Sequence, residues 1–558
     1  MGLAAALNTG KTSLFTNQKA IEITGVNIAN VNTEGYSRQT AVFSDYPALN
    51  FGDYFIGTGV KVSDVQREYD AFISEQLLDK SQQLGAEDAK EAPLAELERI
   101  FSVGEENLAT EIDRFFDAWQ ELSANPSGQV ERDLVIQRGE LLASEFNTIS
   151  NDLDNVAANI NTTVLSELDA VNLKLTEIAD LNQRIQTIEA KGQTANSFRD
   201  QRDQLLQELT YALGVQSFEE PSGAVNVQLP GGLPLVQNSS ALQLEAVQSG
   251  DSLELQLVIG GSSFDVSGRN LGGKFSGLFE LRDEFIPSLK QDLDYTAYQM
   301  IQEVNALHES GMGLDGSTGI PFFQNPGNHM SQAYADNTVA GFVGGNVSLV
   351  VDGVDYSFSL AAGTYSLDDV RDQINAQGAP LTAETAQDES GNWHLMITPD
   401  YDLTRNSPLS VSVDLSELAG SYDAPEFSMS SSAALMSVAV RDTSKVAAGD
   451  SSAPGDNTNA LEVAALKDKN AVNGEDTFVS FYGKMAARVG VEASQSELAR
   501  RGSGDALDQL KTMRDGVAGV SLEEEMIALI KYQRGFEASA KLLSTVDEMM
   551  STVLGIIQ

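Results

Sequence analysis

The sequence contains no cysteine, only three histidines and only two tryptophans among its 558 residues. The lack of cysteine excludes disulfides, thiolate metal sites and cysteine nucleophiles. A zinc site would need His308, His329 and His394 to converge from distant segments with help from carboxylates, and an ordinary structural role is the simpler interpretation of each. The sequence therefore predicts no metal site and no cofactor.

Basic residues are scarce, with 35 Lys and Arg against 81 Asp and Glu and a formal net charge of -46. This charge repels nucleic acid and anionic membrane surfaces, so neither is an expected partner. Gly10-Lys11-Thr12 resembles the end of a phosphate-binding loop, but Ala5 stands where the earlier glycine is required and no strand precedes it. No nucleophile elbow, His-Glu-x-x-His helix or EF-hand loop is present, and we expect no enzyme.

Long apolar runs are also missing, since no segment approaches the ~20 apolar residues of a membrane span. The chain starts MGLAAALNTGK, which has no basic region and whose apolar stretch stops at Asn8. We therefore expect no cleaved signal peptide, and export from the cell would need another route.

Apolar residues recur every seven residues at both ends of the chain, a spacing typical of helices that pair along a seam. The two stripes, which we predict to form an assembly interface, are Leu7, Leu14, Ile21 and Ile28, and Leu522, Leu529, Phe536, Leu543, Met550 and Ile557. Met526, Ala540 and Leu554 are expected at the alternate seam positions of the second stripe. Ser521 and Glu524 predict a capping box that starts the last helix, with Glu523 to Glu525 favourable at its N-terminus.

Helical and strand-like segments alternate between these ends. The stretch from Gly139 to Gly192 predicts one long helix, and Leu94 to Leu122 predicts an amphipathic helix beside it. Strand patterns follow from Val215 and again from Val343, where Asp352-Gly353 predicts a type I′ turn.

These patterns predict a multidomain fold, mainly α with β insertions. We expect a terminal α-helical coiled coil (1–48 and 516–558), a long helical bundle (49–335 and 436–515) with β-hairpin segments at 215–275, and a small β-rich (α+β) outer domain inserted at 336–435.

The segment ANVNTEGYSRQ follows the first stripe directly and should end its helix in an ordered turn, because Asn and Gly tolerate left-handed backbone. With the two flanking helices it resembles the axial proteins of the bacterial flagellum, a family of rod, hook and hook-associated proteins. The end, SLEEEMIALIKYQRGFEASAKLLSTVDEMMSTVLGI, resembles that family's terminal signature. The motif-turn residues are Ala29, Asn30, Asn32, Thr33, Gly35, Tyr36, Ser37, Arg38 and Gln39. Glu34 departs from the proline of many relatives, which makes the turn less rigid.

Within that family, Tyr36 to Gln39 is similar to the hook-associated members that form the junction between hook and filament. The resemblance implies a structural subunit that self-associates in a ring or tube and contributes to motility. It also implies the hook protein, a second junction protein and an export chaperone as partners. Export through the flagellar type III apparatus to the extracellular flagellum is expected, with terminal helices that order during assembly.

Two alternatives remain open at this point. One is another axial subunit, a hook or distal rod protein. The other is a secreted adhesin or a wall-remodelling enzyme that uses the same terminal helices. An enzyme would need a convergent polar site in 336–435, where Trp393 and His394 lie.

Overall fold

The computed structural model describes residues 3–50, 55–102, 107–249, 252–267, 271–324, 329–337, 341–387, 392–399, 401–402, 407–408, 411–425, 427–429, 432–451, 453 and 455–557. Within these residues the α-helices are α1 (Leu3–Ala29), α2 (Ala71–Ile100), α3 (Leu108–Ala124), α4 (Gln129–Glu189), α5 (Asn196–Leu213), α6 (Gly273–Glu280), α7 (Ile286–Ser310), α8 (Leu367–Asn375), α9 (Thr458–Ala465), α10 (Phe478–Ala518) and α11 (Leu522–Ile557). A π-helical turn, Leu281–Phe285, separates α6 from α7.

The strands are short and pair antiparallel. In chain order they are β1 (Gln39–Asp45), β2 (Leu49–Asn50), β3 (Phe55–Ile56), β4 (Val60–Arg67), β5 (Gln216–Glu219), β6 (Val225–Gln228), β7 (Pro234–Gln237), β8 (Ser240–Ala241), β9 (Leu244–Ser249), β10 (Ser252–Ile259), β11 (Ser262–Asp265), β12 (His329–Ser331), β13 (Phe342–Val343), β14 (Asn346–Val351), β15 (Val354–Asp355), β16 (Phe358–Ser359), β17 (Thr364–Tyr365), β18 (Leu381–Gln387), β19 (Trp393–Pro399), β20 (Tyr401–Asp402), β21 (Ser407–Pro408), β22 (Val411–Asp414) and β23 (Phe427–Met429).

The chain divides into two compact units. The first unit comprises Met1–Pro93, Asn159–Leu281 and Ser494–Gln558. It holds both terminal helices, the β1–β4 ribbon, a sheet in the order β5-β6-β7-β8 and a second sheet in the order β11-β10-β9. On β10, Leu253, Leu255 and Leu257 are buried, as expected for a strand with one face on a core.

The second unit comprises Leu94–Ala158 and Arg282–Ala493. One of its cores is aromatic, with Phe115 and Trp119 of α3 packed against Phe322 and Phe323 at ring-centroid distances of 5.5 to 5.6 Å. His308 is buried against these rings, its Nδ1 lying 2.6 Å from the carbonyl oxygen of Ile320. This environment accounts for one of the three histidines as a core residue.

A separate core within the second unit belongs to the strand-rich segment. It combines α8 with sheets in the orders β18-β19-β12-β23 and β15-β14-β16, with β22 on β14, and its buried residues all fall between Tyr334 and Leu418. Ser366 caps α8 through a capping box with Asp369. The Asp352-Gly353 turn is confirmed, because both residues have positive φ angles of 51° and 79°.

The predicted fold class, mainly α with β insertions, is confirmed, and several boundaries are corrected. The long helix begins at Gln129 and runs through Gly139. The segment Leu94 to Leu122 is not one helix, because α2 ends at Ile100 and Asn107 caps the start of α3. The return strand after the Asp352-Gly353 turn is interrupted between β15 and β16. The predicted division into three domains remains a prediction. The two compact units described above have other boundaries.

Candidate assembly interface

The two ends of the chain pair as antiparallel helices within the first unit. Ser13 Oγ lies 2.7 Å from Ser539 Oγ, and a methyl group added at Gly10 would lie 3.1 Å from the side chain of Leu543. Residue numbers rise along α1 as they fall along α11, so the helices run in opposite directions. The predicted pairing of the terminal helices within the subunit is therefore present in the structure.

The buried residues of α1 are mostly small or polar. They are Gly10, Thr16, Ala20, Ile23, Thr24 and Asn27, of which Thr16 donates to the carbonyl oxygen of Val60 and therefore faces β4. Close approach of the two backbones follows from this composition: a Cβ atom at Gly535 of α11 would lie 2.5 Å from Asn17 Oδ1. Of the larger apolar residues of the predicted stripe, Leu543 lies opposite Gly10 in this seam.

The structure places most of the ten predicted interface residues at the margins of the seam. Half-buried positions are Leu7, Leu14, Ile21, Ile28, Leu529, Phe536, Leu543 and Met550. Leu522 is 46% exposed and does not belong to the buried seam, and its place in the assembly interface stays a prediction. The side chain of Ile557 lies outside the described residues.

The alternate seam positions on α11 also require correction. Buried residues there are Glu525, Ser539 and Val546, whereas Met526 is 57% exposed and Ala540 is half-buried. The side chain of Leu554, the third predicted position, lies outside the described residues. Seam positions in a heptad alternate at spacings of three and four residues, so the sequence pattern allows either set, and the structure buries Glu525 and Ser539.

The motif turn ends α1 through its own hydrogen bonds. Asn30 Nδ2 donates to the carbonyl oxygen of Val26 at 2.9 Å, and Thr33 Oγ1 donates to Asn30 Oδ1 at 3.1 Å. Gly35 has a φ of 77°, a left-handed conformation that a side chain would strain. The expectation of an ordered turn is confirmed. Ala29 ends the helix and Asn32 is exposed.

Asn27, one turn before the end of α1, is the centre of a buried polar network. Its Nδ2 donates to the carbonyl oxygen of Gln39 at 2.9 Å and to Glu525 Oε2 at 3.0 Å. Its Oδ1 accepts from Tyr36 Oη at 2.7 Å and from the backbone N–H of Gln39 at 3.0 Å. Asn27 is 1% exposed, and all four hydrogen-bonding positions of its amide are used.

Arg38 connects the turn to the start of α11. Its Nε lies 2.8 Å from Glu525 Oε1, its Nη1 lies 2.7 Å from Glu524 Oε2, and its backbone N–H donates to the carbonyl oxygen of Ala518 at 2.8 Å. The carboxylate of Glu524 thus pairs with Arg38 rather than completing the predicted capping box. The box is reduced to a 3.5 Å contact from the Glu524 N–H to Ser521 Oγ.

Asp200 of α5 holds the other side of the turn. Its Oδ2 accepts from the backbone N–H of Ser37 at 3.1 Å, and its Oδ1 accepts from Arg67 Nη1 at 2.8 Å. Arg67 also pairs with Asp203 Oδ2 at 2.7 Å. Burial, together with the charges of Asp200 and Glu525, raises the pKa of Tyr36 to about 12, so its hydroxyl remains a donor at neutral pH.

Four residues of this arrangement were not identified from the sequence: Asn27, Arg67, Asp200 and Glu525. For Asn27 and Glu525 the sequence does hold a signal, which is a polar residue at a seam position of the heptad. Glu525 was interpreted from the sequence only as a favourable charge at a helix N-terminus. Arg67 and Asp200 carry no local signal, since 133 residues separate the partners.

Large apolar side chains remain exposed on both terminal helices. These are Phe15 and Val26 on α1, and Leu522, Met526, Ile527, Ile530, Leu542, Met549 and Val553 on α11, each between 43% and 68% exposed. Isolated exposed apolar residues are normal on proteins, but their concentration on one helix pair marks an interaction surface. We call these nine residues the outer apolar set.

Three separate parts of the chain match known protein families. Residues 94–323 match the family described as flagellar hook-associated protein FlgK helical domain. Residues 7–36 match flagella basal body rod protein, and 517–556 match flagellar basal body rod FlgEFG protein C-terminal. Flagellar hook-associated protein 1 of Salmonella typhimurium is 26% identical over 99% of this chain and 100% of that protein, and the Bacillus subtilis protein of the same name is 23% identical over 98% and 97%.

Over almost its whole length, this chain is similar to flagellar hook-associated protein 1. The resemblance carried by the motif turn and the terminal helices is therefore confirmed, and with it the predicted role of a structural component of the flagellum. The fold is similar to that of the flagellar hook junction protein FlgK from Burkholderia pseudomallei, with a TM-score of 0.54, 17% identity, and coverage of 79% of this chain and 100% of that one.

None of the helices in the described part of the chain combines the length and apolar character needed to cross a membrane.

Proposed function

We propose that this chain is a non-enzymatic structural subunit at the junction between hook and filament, and that its terminal helices complete their folding when they pack among neighbouring subunits. The observation that carries the proposal is the outer apolar set. An antiparallel pair with a closed seam leaves these nine side chains in water, and they gain contacts only from another chain.

The energetics favour ordering during assembly. The seam inside the subunit is built from small and polar residues such as Gly10, Ala20 and Asn27, which bury little apolar surface. Each member of the outer apolar set, about half exposed, offers on the order of 1 kcal/mol when a neighbour covers it. The predicted mobile ends of the free subunit are consistent with this distribution, because ordering each residue costs backbone entropy that the pair alone offsets poorly.

The partners follow from the same surface. Before assembly, a flagellar export chaperone would cover the outer apolar residues of α11. After assembly, neighbouring subunits in the ring, the hook protein and the second junction protein would take the place of the chaperone. Delivery to the extracellular flagellum through the type III apparatus, without a cleaved signal, suits a chain without cysteine whose ends fold last.

Ile527 provides the sharpest test, because it is 68% exposed and lies outside the seam. Ile527→Asp should leave the helix pair of the subunit intact and prevent incorporation, because a carboxylate cannot be buried unpaired against a neighbour. Gln533→Asp, which places the same carboxylate at an exposed polar position of α11, serves as the matched control.

The measurement is complementation of a gene deletion followed by electron microscopy. We expect hooks without filaments, and flagellin in the medium, for Ile527→Asp, and normal filaments for Gln533→Asp. Circular dichroism of the purified variants checks that both fold equally. Filaments of normal number and length on Ile527→Asp would refute the proposal.

A further inference from the structure

We infer that Asn27 and Glu525 fix the register of the terminal helix pair and act as its positioning residues. This inference rests on the proposed function, since the correct register decides which apolar side chains the pair presents to its neighbours. The contact between the two side chains joins the last turn of α1 to the first turn of α11, with Nδ2 and Oε2 3.0 Å apart.

The apolar stripes cannot select the register by themselves. Leu7, Leu14 and Ile21 repeat every seven residues, as do Leu529 and Phe536 on the opposite helix. Sliding one helix by seven residues therefore matches apolar residues with apolar residues again. Something other than the stripes has to distinguish the observed pairing from its shifted forms.

Asn27 and Glu525 provide that distinction because they are buried and polar. A shift by seven residues would place Tyr532 opposite Asn27 in one direction, and Ala20 opposite Glu525 in the other. In either case the carboxylate of Glu525 moves roughly 10 Å along α1. It then loses both the amide donor of Asn27 and the guanidinium of Arg38, which pair with it in the observed register. An unpaired buried carboxylate is costly enough that we expect the observed register to be favoured by about tenfold to a hundredfold over shifted pairings.

The position of the contact lets it act early in pairing. Ser37 is bonded to Asp200 of α5, and Arg38 is bonded to the carbonyl oxygen of Ala518 at the end of α10, so both chain segments are held close together at this end. Loop closure is cheapest for contacts next to an existing junction. Pairing should therefore start at Asn27 and Glu525 and proceed toward the tips of the helices.

The absence of native cysteine permits a direct assay of register in the purified full-length protein. Ser13→Cys with Ser539→Cys joins positions whose hydroxyl oxygens are 2.7 Å apart, so it reports the observed register. Ala6→Cys with Ser539→Cys reports the shift of one heptad that places Glu525 opposite Ala20, since residue 6 lies two turns nearer the start of α1 than Ser13. The ratio of disulfide formed by the two pairs under mild oxidation measures register preference even when pairing is transient.

With the native residues we expect cross-linking at 13/539 to exceed that at 6/539 at least tenfold. Glu525→Leu should bring the two yields within about threefold of each other, because the shifted pairing then carries no unpaired carboxylate. Glu525→Gln should restore most of the preference, since its amide oxygen still accepts from Asn27. Glu22→Gln, an exposed carboxylate on α1, should change nothing and controls for lost charge.

A preference for 13/539 that is unchanged in Glu525→Leu would overturn the inference. If Gly10→Ala shifts the ratio instead, the fit of Gly10 against Leu543 determines the register and the inference is equally refuted. The assay uses isolated protein, so its outcome is independent of whether the chain occupies the hook–filament junction, which the Ile527→Asp experiment tests separately.

Discussion

Acidification should destabilise the second unit through the buried imidazole of His308. Its Nε2 accepts a hydrogen bond from the backbone N–H of Ala447 at 3.0 Å, and its Nδ1 faces the carbonyl oxygen of Ile320 at 2.6 Å. The neutral ring satisfies both partners. Protonation would place an N–H at Nε2 directly against the backbone N–H of Ala447. Burial, the largest cause, lowers the pKa of His308 from 6.5 to about 4.

Proton linkage gives the sign and the size of the change in unfolding free energy with pH. The unfolded chain takes up a proton near pH 6.5 and the folded chain does so only near pH 4, so the unfolded state binds more protons in between. The stability contribution of His308 is complete above pH 6.5 and is lost as the pH falls toward 4. Between pH 7 and pH 5 the loss should reach about 2 kcal/mol.

Trp119 makes the change observable, because its ring contacts His308 with centroids 6.1 Å apart. Replacing the second tryptophan, Trp393→Phe, leaves Trp119 as the only indole fluorophore for urea unfolding at pH 5, 6 and 7. His308→Gln in the same background removes the titrating group while the many carboxylates titrate as before. All of these pH values lie above the sequence pI of 4.2.

The unfolding free energy of the parent should fall by about 2 kcal/mol more than that of His308→Gln between pH 7 and pH 5. A difference between the two proteins that stays constant across this range would show that His308 is not held neutral by the fold, and the reasoning from its burial would fail.

Three other substitutions test the first unit. Arg67→Ala should cost about 3 to 5 kcal/mol in urea unfolding by leaving Asp200 buried and unpaired, and a loss below 1 kcal/mol would contradict the pairing. Gly35→Ala should cost about 1 kcal/mol from its positive φ and speed amide exchange in the motif turn, whereas Gly25→Ala, whose new methyl group has open space, should stabilise α1. Leu529→Asp should unpair the terminal helices and reduce helical circular dichroism, and an unchanged spectrum would argue against its place beside the seam.

The sequence was informative where structure depends on local pattern. The seven-residue stripes predicted both terminal helices and their pairing, and the Asn- and Gly-rich motif predicted the turn that ends α1. The capping box at Ser366 and the type I′ turn at Asp352 were equally predictable, because each depends on residues a few positions apart. Family membership could be recognised from the same local motifs.

Features that depend on residues far apart in the chain were less predictable from the sequence. The stripe suggested an apolar seam through Leu7 and Leu522, but the seam follows Gly10 and Asn27, because the rotation of each helix is set by what packs on it. The sequence showed three acids at the start of α11 without showing that Glu525 is buried while Leu522 is exposed. The interruption between α2 and α3 was missed for a similar reason, since apolar spacing continues across it.

The sequence alone therefore determined the helices at the two ends, the turn between α1 and the first strand, the mixture of helical and strand-rich segments and the flagellar family. Periodicity and turn chemistry act over a few residues and can therefore be recognised in the sequence. Only the tertiary structure decided which face of each terminal helix is covered, and which acids have partners. Those outcomes depend on Asn27, Arg67 and Asp200 meeting groups far away in the chain, a result of packing that no local pattern contains.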